Sequence, residues 1–390
     1  MNKKYLLSKP LIGIEEINNV KKVLKSGWLS YGKYSQKLEE IFKNKIKSNY
    51  AISVNSCTSG IHACLEANKI GQNDEVITSP FTFVSTIHNI FQQKNKIVLC
   101  DISLDDFNID ISDLKKKINS NTKCILPTHY AGNPCDILEI LKIKKKKRSL
   151  KIIEDAATAI GSKINNKYVG SYDTNGCVFS LYANKVITSG EGGLITTNDN
   201  KLAKKIKNII FCGINKSTYK RTFSKNSWKY SVNNIGYKYN ISDINSAVAL
   251  AQVKKLDGII DYRKKLYGYY DNSFSELYDE KIISNIKINN TNRSANYIYT
   301  ILLNPKKLRI NRNSLIQKLS KLGIGTSVHY IPANKHNFYK KMFRKFNLKN
   351  TDYAYKNILS IPLHNHLKKK DMDFISYKIK KILIKNYIKK

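Results

Sequence analysis

One lysine of this chain lies in a setting that suits covalent chemistry. Lys185 follows the hydroxyl of Ser180 by five residues and precedes a glycine-rich turn at 190–193, Gly-Glu-Gly-Gly. A lysine held beside such a turn in a partly desolvated pocket can form a Schiff base with a carbonyl compound. Because lysine is abundant throughout the chain, this setting carries the prediction; the alternative is a plain turn between two strands.

A carboxylate upstream complements this lysine. The segment 152–155, Ile-Ile-Glu-Asp, reads as a buried strand that brings Asp155 to its carboxyl end. A carboxylate opposite a pyridine nitrogen would keep that nitrogen protonated and make the ring an electron sink. Lysine, hydroxyl and carboxylate together predict a pyridoxal phosphate site, whereas the alternative for Asp155 is a solvated acidic residue at a strand end.

Three further positions could hold the rest of such a cofactor. The turn that contains Thr58 and Ser59 follows a predicted strand and opens a predicted helix, so its amides and hydroxyls could bind a phosphate, with Ser180 as another donor. The alternative is an ordinary cap of the first helical turn by Thr58 or Ser59. Phe83 could stack on the ring, although an aromatic residue there could equally belong to the core.

The elements that must position these residues alternate regularly. Short apolar runs are separated by segments of helical period, which predicts an α/β fold with a mostly parallel sheet and ligands at the carboxyl ends of its strands. The predicted strands are 51–54, 75–78, 96–101, 123–127, 151–155, 177–181 and 193–196.

The second half of the chain predicts a smaller domain. A helix is expected at 200–209, followed at 211–240 by a polar, aromatic-rich loop long enough to suggest a lid or an interface. A long helix from Ser242 to about Glu276 then leads into a strand near 297–303, a helix near 314–322 and a helix after Lys369. We therefore expect a large domain at 1–240 and a small α+β domain at 241–390.

Composition narrows the class of protein. The 390 residues suffice for a large core. The seven cysteines are odd in number and show no CxxC pair, so neither a disulfide framework nor a metal site is indicated. A reducing cytoplasm is therefore expected. No segment has the length and apolarity of a signal peptide or a membrane span. The net charge of +39 is spread along the chain, and its local runs, such as 142–148, lack interleaved aromatic residues, so we expect no nucleic-acid partner.

Taken together, the motifs resemble those of the DegT/DnrJ/EryC1/StrS family of sugar-nucleotide aminotransferases over nearly the whole chain. The lysine and aspartate motifs are joined by four other matching segments: 26–32 (Ser-Gly-Trp-Leu-Ser-Tyr-Gly), 129–134 (His-Tyr-Ala-Gly-Asn-Pro), 236–244 (Gly-Tyr-Lys-Tyr-Asn-Ile-Ser-Asp-Ile) and 323–332 (Gly-Ile-Gly-Thr-Ser-Val-His-Tyr-Ile-Pro). The resemblance implies the aspartate aminotransferase-like fold, type I among pyridoxal phosphate enzymes.

The resemblance also assigns roles to individual residues. It implies that Lys185 is the Schiff-base lysine and that Asp155 pairs with the pyridine nitrogen. The remaining cofactor contacts that it implies are Phe83 for stacking, Thr58, Ser59 and Ser180 for the phosphate, Asn240 for the phosphate of a neighbouring subunit, and Thr158 where the family commonly has His or Gln. The residues that it places near the sugar are Trp28, Ser30, Tyr31, His329 and Tyr330; the structural alternatives are a core role for Trp28 and a satisfied strand position for His329.

The implied activity is transamination in a homodimer with a shared active site. An amino donor, usually glutamate in this family, would aminate a nucleotide-linked keto sugar such as a 4-keto-6-deoxy hexose, for surface glycans that include lipopolysaccharide O-antigen. The presence of Lys185, where a dehydratase subgroup has histidine, favours amino transfer. Two alternatives stay open, a 3-keto sugar aminotransferase and a non-catalytic regulatory protein of the same fold that binds pyridoxal phosphate.

Overall fold

A sheet in the first half of the chain positions Asp155 and Ser180. The structure, a computed structural model, describes residues 4–214, 219, 222 and 228–388. Its strands are β1 (Tyr50–Val54), β2 (Glu75–Thr78), β3 (Lys96–Leu99), β4 (Thr122–Leu126), β5 (Lys151–Ile152), β6 (Glu154–Asp155), β7 (Lys163–Ile164), β8 (Lys167–Tyr168), β9 (Cys177–Ser180), β10 (Gly193–Thr197), β11 (Ile283–Ser284), β12 (Asn292–Arg293), β13 (Tyr299–Leu303) and β14 (Ile358–Ile361).

The order of these strands explains where the site forms. Two ladders, β3-β2-β4-β5 and β6-β9-β10-β1, share the continuous segment 151–155, in which Ile153 N donates to Ile125 O at 3.1 Å. Within these two ladders every pairing is parallel except those of β10, which runs antiparallel to both β1 and β9. The other strands therefore all point their carboxyl ends at one edge, as the sequence predicts, and this edge is where ligands of such sheets bind.

Helices cover the sheet and extend into the C-terminal half. Their bounds are α1 (Ile14–Ser26), α2 (Lys33–Ile46), α3 (Cys57–Ala67), α4 (Val84–Gln92), α5 (Ile111–Lys117), α6 (Ile137–Lys146), α7 (Asn200–Ile210), α8 (Asp243–Ser273), α9 (Ser275–Asp279), α10 (Arg312–Lys321), α11 (Asn337–Lys340), α12 (Lys349–Asn357) and α13 (Lys369–Lys385). Short 3₁₀ turns occur at Tyr130–Gly132 and Ala333–Lys335. None of the helices in the described ranges is long and apolar enough to cross a membrane.

The long helix α8 joins two apolar cores. Ser242 caps it by accepting a hydrogen bond from Asn245 N. Val253 and Leu256 on its first half pack with the sheet core, whereas Leu266 and Tyr270 on its second half pack with β13, β14 and α13. This arrangement is compatible with the predicted division near residue 240, which stays a prediction.

The segment 211–240 is described only in part. Residues 215–218, 220, 221 and 223–227 of the predicted long loop lie outside the described residues. Its two ends run side by side, with isolated bridges from Phe211 to Lys238 and from Ile214 to Val232. Its last residue, Asn240, bridges to Val54 at the end of β1. The far end of the loop is therefore anchored at the ligand edge of the sheet.

Candidate active site

The loop that carries Lys185 is closed by two backbone hydrogen bonds and one from a side-chain amide. Leu181 N donates to Gly192 O at 2.9 Å, and Ser189 N donates to Leu181 O at 2.9 Å. Asn245 Nδ2, in the first turn of α8, donates to Ser189 O at 2.7 Å. These bonds hold the half-buried Lys185 at the carboxyl end of β9.

Asp155 is a buried carboxylate surrounded by neutral donors. Its side chain accepts hydrogen bonds from Thr82 Oγ1 (3.1 Å), Thr86 Oγ1 (2.8 Å) and Ala157 N (3.1 Å), and Thr128 Oγ1 lies 3.5 Å away. The residue is only 3% exposed, and among the described residues it forms no ion pair. Since a buried carboxylate is stabilised by a cationic partner, this site suits a protonated ring nitrogen.

The start of α3 offers amides to an anion. Ser56, and not Thr58 or Ser59, is the N-cap, since its hydroxyl accepts from Ser59 N at 3.0 Å. Gly60 N donates to Ser56 O. The two amides before these, those of Cys57 and Thr58, have no acceptor in the described part of the chain. Two amides at a helix N-terminus form a phosphate-binding feature.

Strand register brings the other predicted phosphate ligands to the same place. Gly193 pairs with Val54 on one side and with Ser180 on the other, while Asn240 bridges to Val54. A Cβ on Gly193 would lie 2.8 Å from Cys57 N, so only glycine permits this approach of β10 to α3. Ser180 and Asn240 thus lie at the edge where α3 begins.

Phe83 stands immediately before α4 with an exposed ring. It is 59% exposed, whereas its neighbour Thr82 is buried against Asp155. The ring of Tyr330 lies 6.4 Å from that of Phe83 at 60°. A large exposed aromatic ring beside a buried carboxylate presents a stacking surface for a planar ligand.

The second half of the chain supplies His329 and Tyr330. His329 is buried, its Nδ1 lies 2.9 Å from Ser360 Oγ, and its carbonyl accepts from the Tyr130 hydroxyl. Burial, followed by the positive charge of Lys185, lowers the pKa of His329 to about 4, so this imidazole is neutral near pH 7. Burial raises the pKa of the Tyr330 hydroxyl, and the charge of Asp155 adds to this increase.

Comparisons with known proteins identify the group to which this arrangement belongs. Residues 10–380 match the DegT/DnrJ/EryC1/StrS aminotransferase family. The chain belongs to this family.

Individual relatives of the family cover almost the whole chain. The spore coat polysaccharide biosynthesis protein SpsC of Bacillus subtilis is 36% identical over 379 residues, or 96% of each chain. Helicobacter pylori PseC, an aminotransferase involved in the biosynthesis of pseudoaminic acid, superposes with a TM-score of 0.88 at 30% identity, covering 98% of this chain and 100% of that one. A putative sugar aminotransferase from Streptococcus pneumoniae, solved in its pyridoxamine phosphate form, superposes with a TM-score of 0.89 at 27% identity over 97% and 99% of the two chains.

These findings confirm the predicted family, the type I fold, the pyridoxal phosphate cofactor and the class of enzyme, a pyridoxal phosphate-dependent sugar aminotransferase. The residues of this aminotransferase fit the cofactor on structural grounds. The unpaired amides of Cys57 and Thr58 suit the phosphate, Asp155 suits the ring nitrogen, and the exposed face of Phe83 suits the ring. The individual role of each side chain stays a prediction.

The hydroxyl of Thr158 forms two hydrogen bonds with backbone groups of the protein. Oγ1 donates to His129 O at 2.7 Å and accepts from Gly132 N at 3.2 Å. These two bonds stabilise the turn Tyr130–Gly132, in which Ala131 has a positive φ of 55°. The hydroxyl can therefore accept one more hydrogen bond, from the cofactor, but its single O–H already donates to His129 O.

The predicted sugar residues near the N-terminus contact the start of α8. Asp243 accepts hydrogen bonds from Gly32 N (2.9 Å) and Ser35 Oγ (2.6 Å) and thereby fixes the loop that contains Trp28, Ser30 and Tyr31. The Tyr31 hydroxyl donates to Glu39 and is buried, whereas Ser30 is exposed and Trp28 is half-buried. A role of these residues in sugar binding stays a prediction.

Sequence reasoning missed a buried pair behind Asp155. His129 Nδ1 accepts from Cys135 N at 3.0 Å, so its Nε2–H donates to Glu154 Oε2 at 3.0 Å. Both side chains are fully buried, and Thr174 Oγ1 donates to the other oxygen of Glu154 at 2.6 Å. His129 N also donates to Asp155 O at 3.0 Å, so this pair fixes the strand that delivers Asp155.

Proposed function

We propose that this aminotransferase moves an amino group from glutamate to a nucleotide-linked keto hexose, with a 4-keto-6-deoxy hexose as the acceptor. The observation that carries this proposal is the convergence of Lys185, Asp155 and the free amides of α3 at one sheet edge. Asp155 ends β6, Ser180 before Lys185 ends the neighbouring β9, and Gly193 of β10 approaches Cys57 N at the start of α3. In keeping with this, partial burial raises the pKa of the Cys57 thiol, with smaller effects from the charges of Asp155, which raises it, and Lys185, which lowers it.

The chain's own residues supply binding and proton transfer. Bound pyridoxal phosphate supplies a carbonyl carbon that takes up an amine and a ring that accepts electrons. The amides of Cys57 and Thr58, with the Ser180 hydroxyl, bind the phosphate. Asp155 would keep a proton on the ring nitrogen, and Lys185 Nζ would carry a proton between the donor carbon and the carbon that receives the amine.

The product would serve glycan synthesis. The names of SpsC and PseC refer to spore coat polysaccharide and to pseudoaminic acid, which supports an amino sugar destined for a surface glycan, with lipopolysaccharide O-antigen among the candidates. All seven cysteines are unpaired, as expected in a reducing compartment, and the proposal places the enzyme in the cytoplasm.

The proposal includes a homodimer in which Asn240 acts across the interface. Within one chain the Asn240 amide accepts from Lys238 Nζ at 2.7 Å and donates to Ile241 O at 3.3 Å, and the residue is half-buried at the end of the 211–240 segment. A second subunit that packs on this segment would bring Asn240 to the partner's phosphate site.

The experiment that tests this function is a product assay. The full chain is incubated with pyridoxal phosphate, glutamate and a panel of keto sugars linked to UDP, GDP or dTDP, and the amino sugar is detected by mass spectrometry and located by NMR. Lys185→Ala should abolish product, whereas Lys201→Ala, at an exposed lysine of α7, should not. Amination at C3 would replace the 4-keto proposal, and cofactor binding without turnover of any donor would favour the regulatory alternative.

A further inference from the structure

The ammonium of Lys185 lies over the ring of Tyr297. The Nζ atom is 4.6 Å from the centroid of the ring, and Tyr297 is only 4% exposed. A cation within about 6 Å of an aromatic face is attracted by the ring quadrupole, and the attraction grows when water is excluded. Tyr297 precedes β13 and was not among the residues predicted from the sequence.

The backbone on both sides of Tyr297 is fixed. Tyr297 N donates to Ala131 O at 3.2 Å, and Arg263 Nη1 donates to Tyr297 O at 3.1 Å. Arg263 is itself buried and also donates to Leu363 O at 3.0 Å. The ring therefore has a defined position before any ligand binds, which is the condition for a preorganised contact.

The groups around the Lys185 ammonium provide no competing carboxylate contact. In the part of the chain that the structure describes, no Asp or Glu forms an ion pair with Lys185. The ring of His329 lies 6.2 Å from that of Tyr297 and is neutral near pH 7. The stabilising contact that the structure shows for the Lys185 ammonium is therefore the ring face of Tyr297.

We propose that Tyr297 is a positioning residue that holds the ammonium form of Lys185 in the cofactor-free protein and, during each half-reaction, after Nζ has taken up a proton. The proposal rests on the proposed function, because the lysine is released during each half-reaction. It gives the second half of the chain, which carries Tyr297, a direct contact with the reacting lysine.

The first test uses the unmutated protein. Lysines of the cofactor-free full chain are reductively methylated with ¹³C-formaldehyde, and the Lys185 signal is assigned by its loss in Lys185→Arg. We expect this signal to be shifted upfield from those of the other lysines by the ring current of Tyr297. A Lys185 signal among the bulk lysine signals would overturn the proposal without requiring any Tyr297 variant to fold.

The second test compares Tyr297→Phe with Tyr297→Leu in the cofactor-free full chain. The readout is the rate at which a limiting amine-acylating reagent modifies Lys185 at pH 8, measured by peptide mass spectrometry with the other lysines as internal references. Phenylalanine keeps the ring face and should react like the wild type. Leucine should raise the rate about tenfold, because the ammonium form loses its contact.

Equal rates in all three proteins, with circular dichroism showing that the variants are folded, would refute the role of Tyr297. Both tests are made without substrate, so a protein that aminates no keto sugar could still show the contact. Conversely, an active aminotransferase could lack it. Failure of this inference and failure of the proposed function are therefore separate results.

Discussion

Thr86 donates a hydrogen bond of 2.8 Å from its hydroxyl to Asp155, which ties helix α4 to the buried carboxylate. Thr82 bonds the same oxygen at 3.1 Å from the segment just before that helix. Phe83 lies between these two threonines in the sequence. One short stretch therefore holds the carboxylate and presents the aromatic ring.

Replacing Thr86 by valine should destabilise the cofactor-free protein. A hydrogen bond to a charged group contributes about 2 kcal/mol, and its loss leaves a buried carboxylate less well satisfied. Thr86→Ser keeps the hydroxyl and is the matched control. Urea unfolding of both variants checks this, and a Thr86→Val protein as stable as Thr86→Ser would mean that the bond contributes nothing.

Phe83→Ala should weaken cofactor binding and leave the fold intact. The ring is 59% exposed, so its removal costs little packing, but aromatic stacking on a planar ring contributes about 1 kcal/mol. We expect a fivefold to tenfold rise, at order-of-magnitude precision, in the dissociation constant of pyridoxal phosphate, measured by fluorescence titration. Phe83→Tyr should bind normally, and unchanged affinity in the alanine variant would exclude stacking.

Gly193→Ala should impair the phosphate site. The added Cβ would lie 2.8 Å from Cys57 N and 2.8 Å from the backbone carbon of Ser56, so strand β10 and helix α3 must separate. Gly258→Ala is the control, because nothing lies within 4 Å of a Cβ there. Isothermal titration with pyridoxal phosphate should show a large loss of affinity for the first variant only; equal affinities would contradict the assignment of this turn.

The stability of the protein should fall as the pH falls from about 6.5 to 4. Burial, followed by the charge of Arg263, lowers the pKa of His364 to about 4. The folded state keeps this histidine neutral while the unfolded state takes up a proton near pH 6.5, so stability is fully present above that pH and is lost below it. The difference in pKa corresponds to at most about 3 kcal/mol.

The variant His364→Asn checks this assignment. Its urea midpoints at pH 7, 6 and 5 should depend less steeply on pH than those of the wild type, although its stability at pH 7 is expected to be lower. His329, with a pKa of about 4 for a similar reason, should supply part of the remaining dependence. Parallel profiles for the two proteins would show that His364 is not the group responsible.

The sheet was predictable because its strands carry their own signals. Each apolar run of the first half became a strand within a few residues, and the 200–209 helix, the long helix α8 and the C-terminal helix follow from their periodicity and caps. The antiparallel direction of β10 had no such signal, since an apolar run has the same pattern in either direction. That direction depends on the loop that folds back after Lys185.

Site residues that belong to one local motif were predictable from the sequence. Contacts between distant segments were not. Lys185, Asp155 and Ser180 stand in recognisable local patterns, but the cap of α3 is Ser56, because its hydroxyl faces Ser59 N. Thr82 lies just before α4 and Thr86 in its first turn, so helical spacing does not mark the two hydroxyls that meet at Asp155. Tyr297 has no local signal, because it meets Lys185 only through tertiary packing.

The most direct test of the central claim is the visible absorption spectrum of the full chain with pyridoxal phosphate, recorded before and after glutamate is added, beside Lys185→Ala. We expect a visible band of protein-bound cofactor that glutamate converts to the pyridoxamine phosphate spectrum, and no such band in the variant. A wild-type protein that takes up no cofactor, or whose band is unchanged by every amino donor, would contradict it.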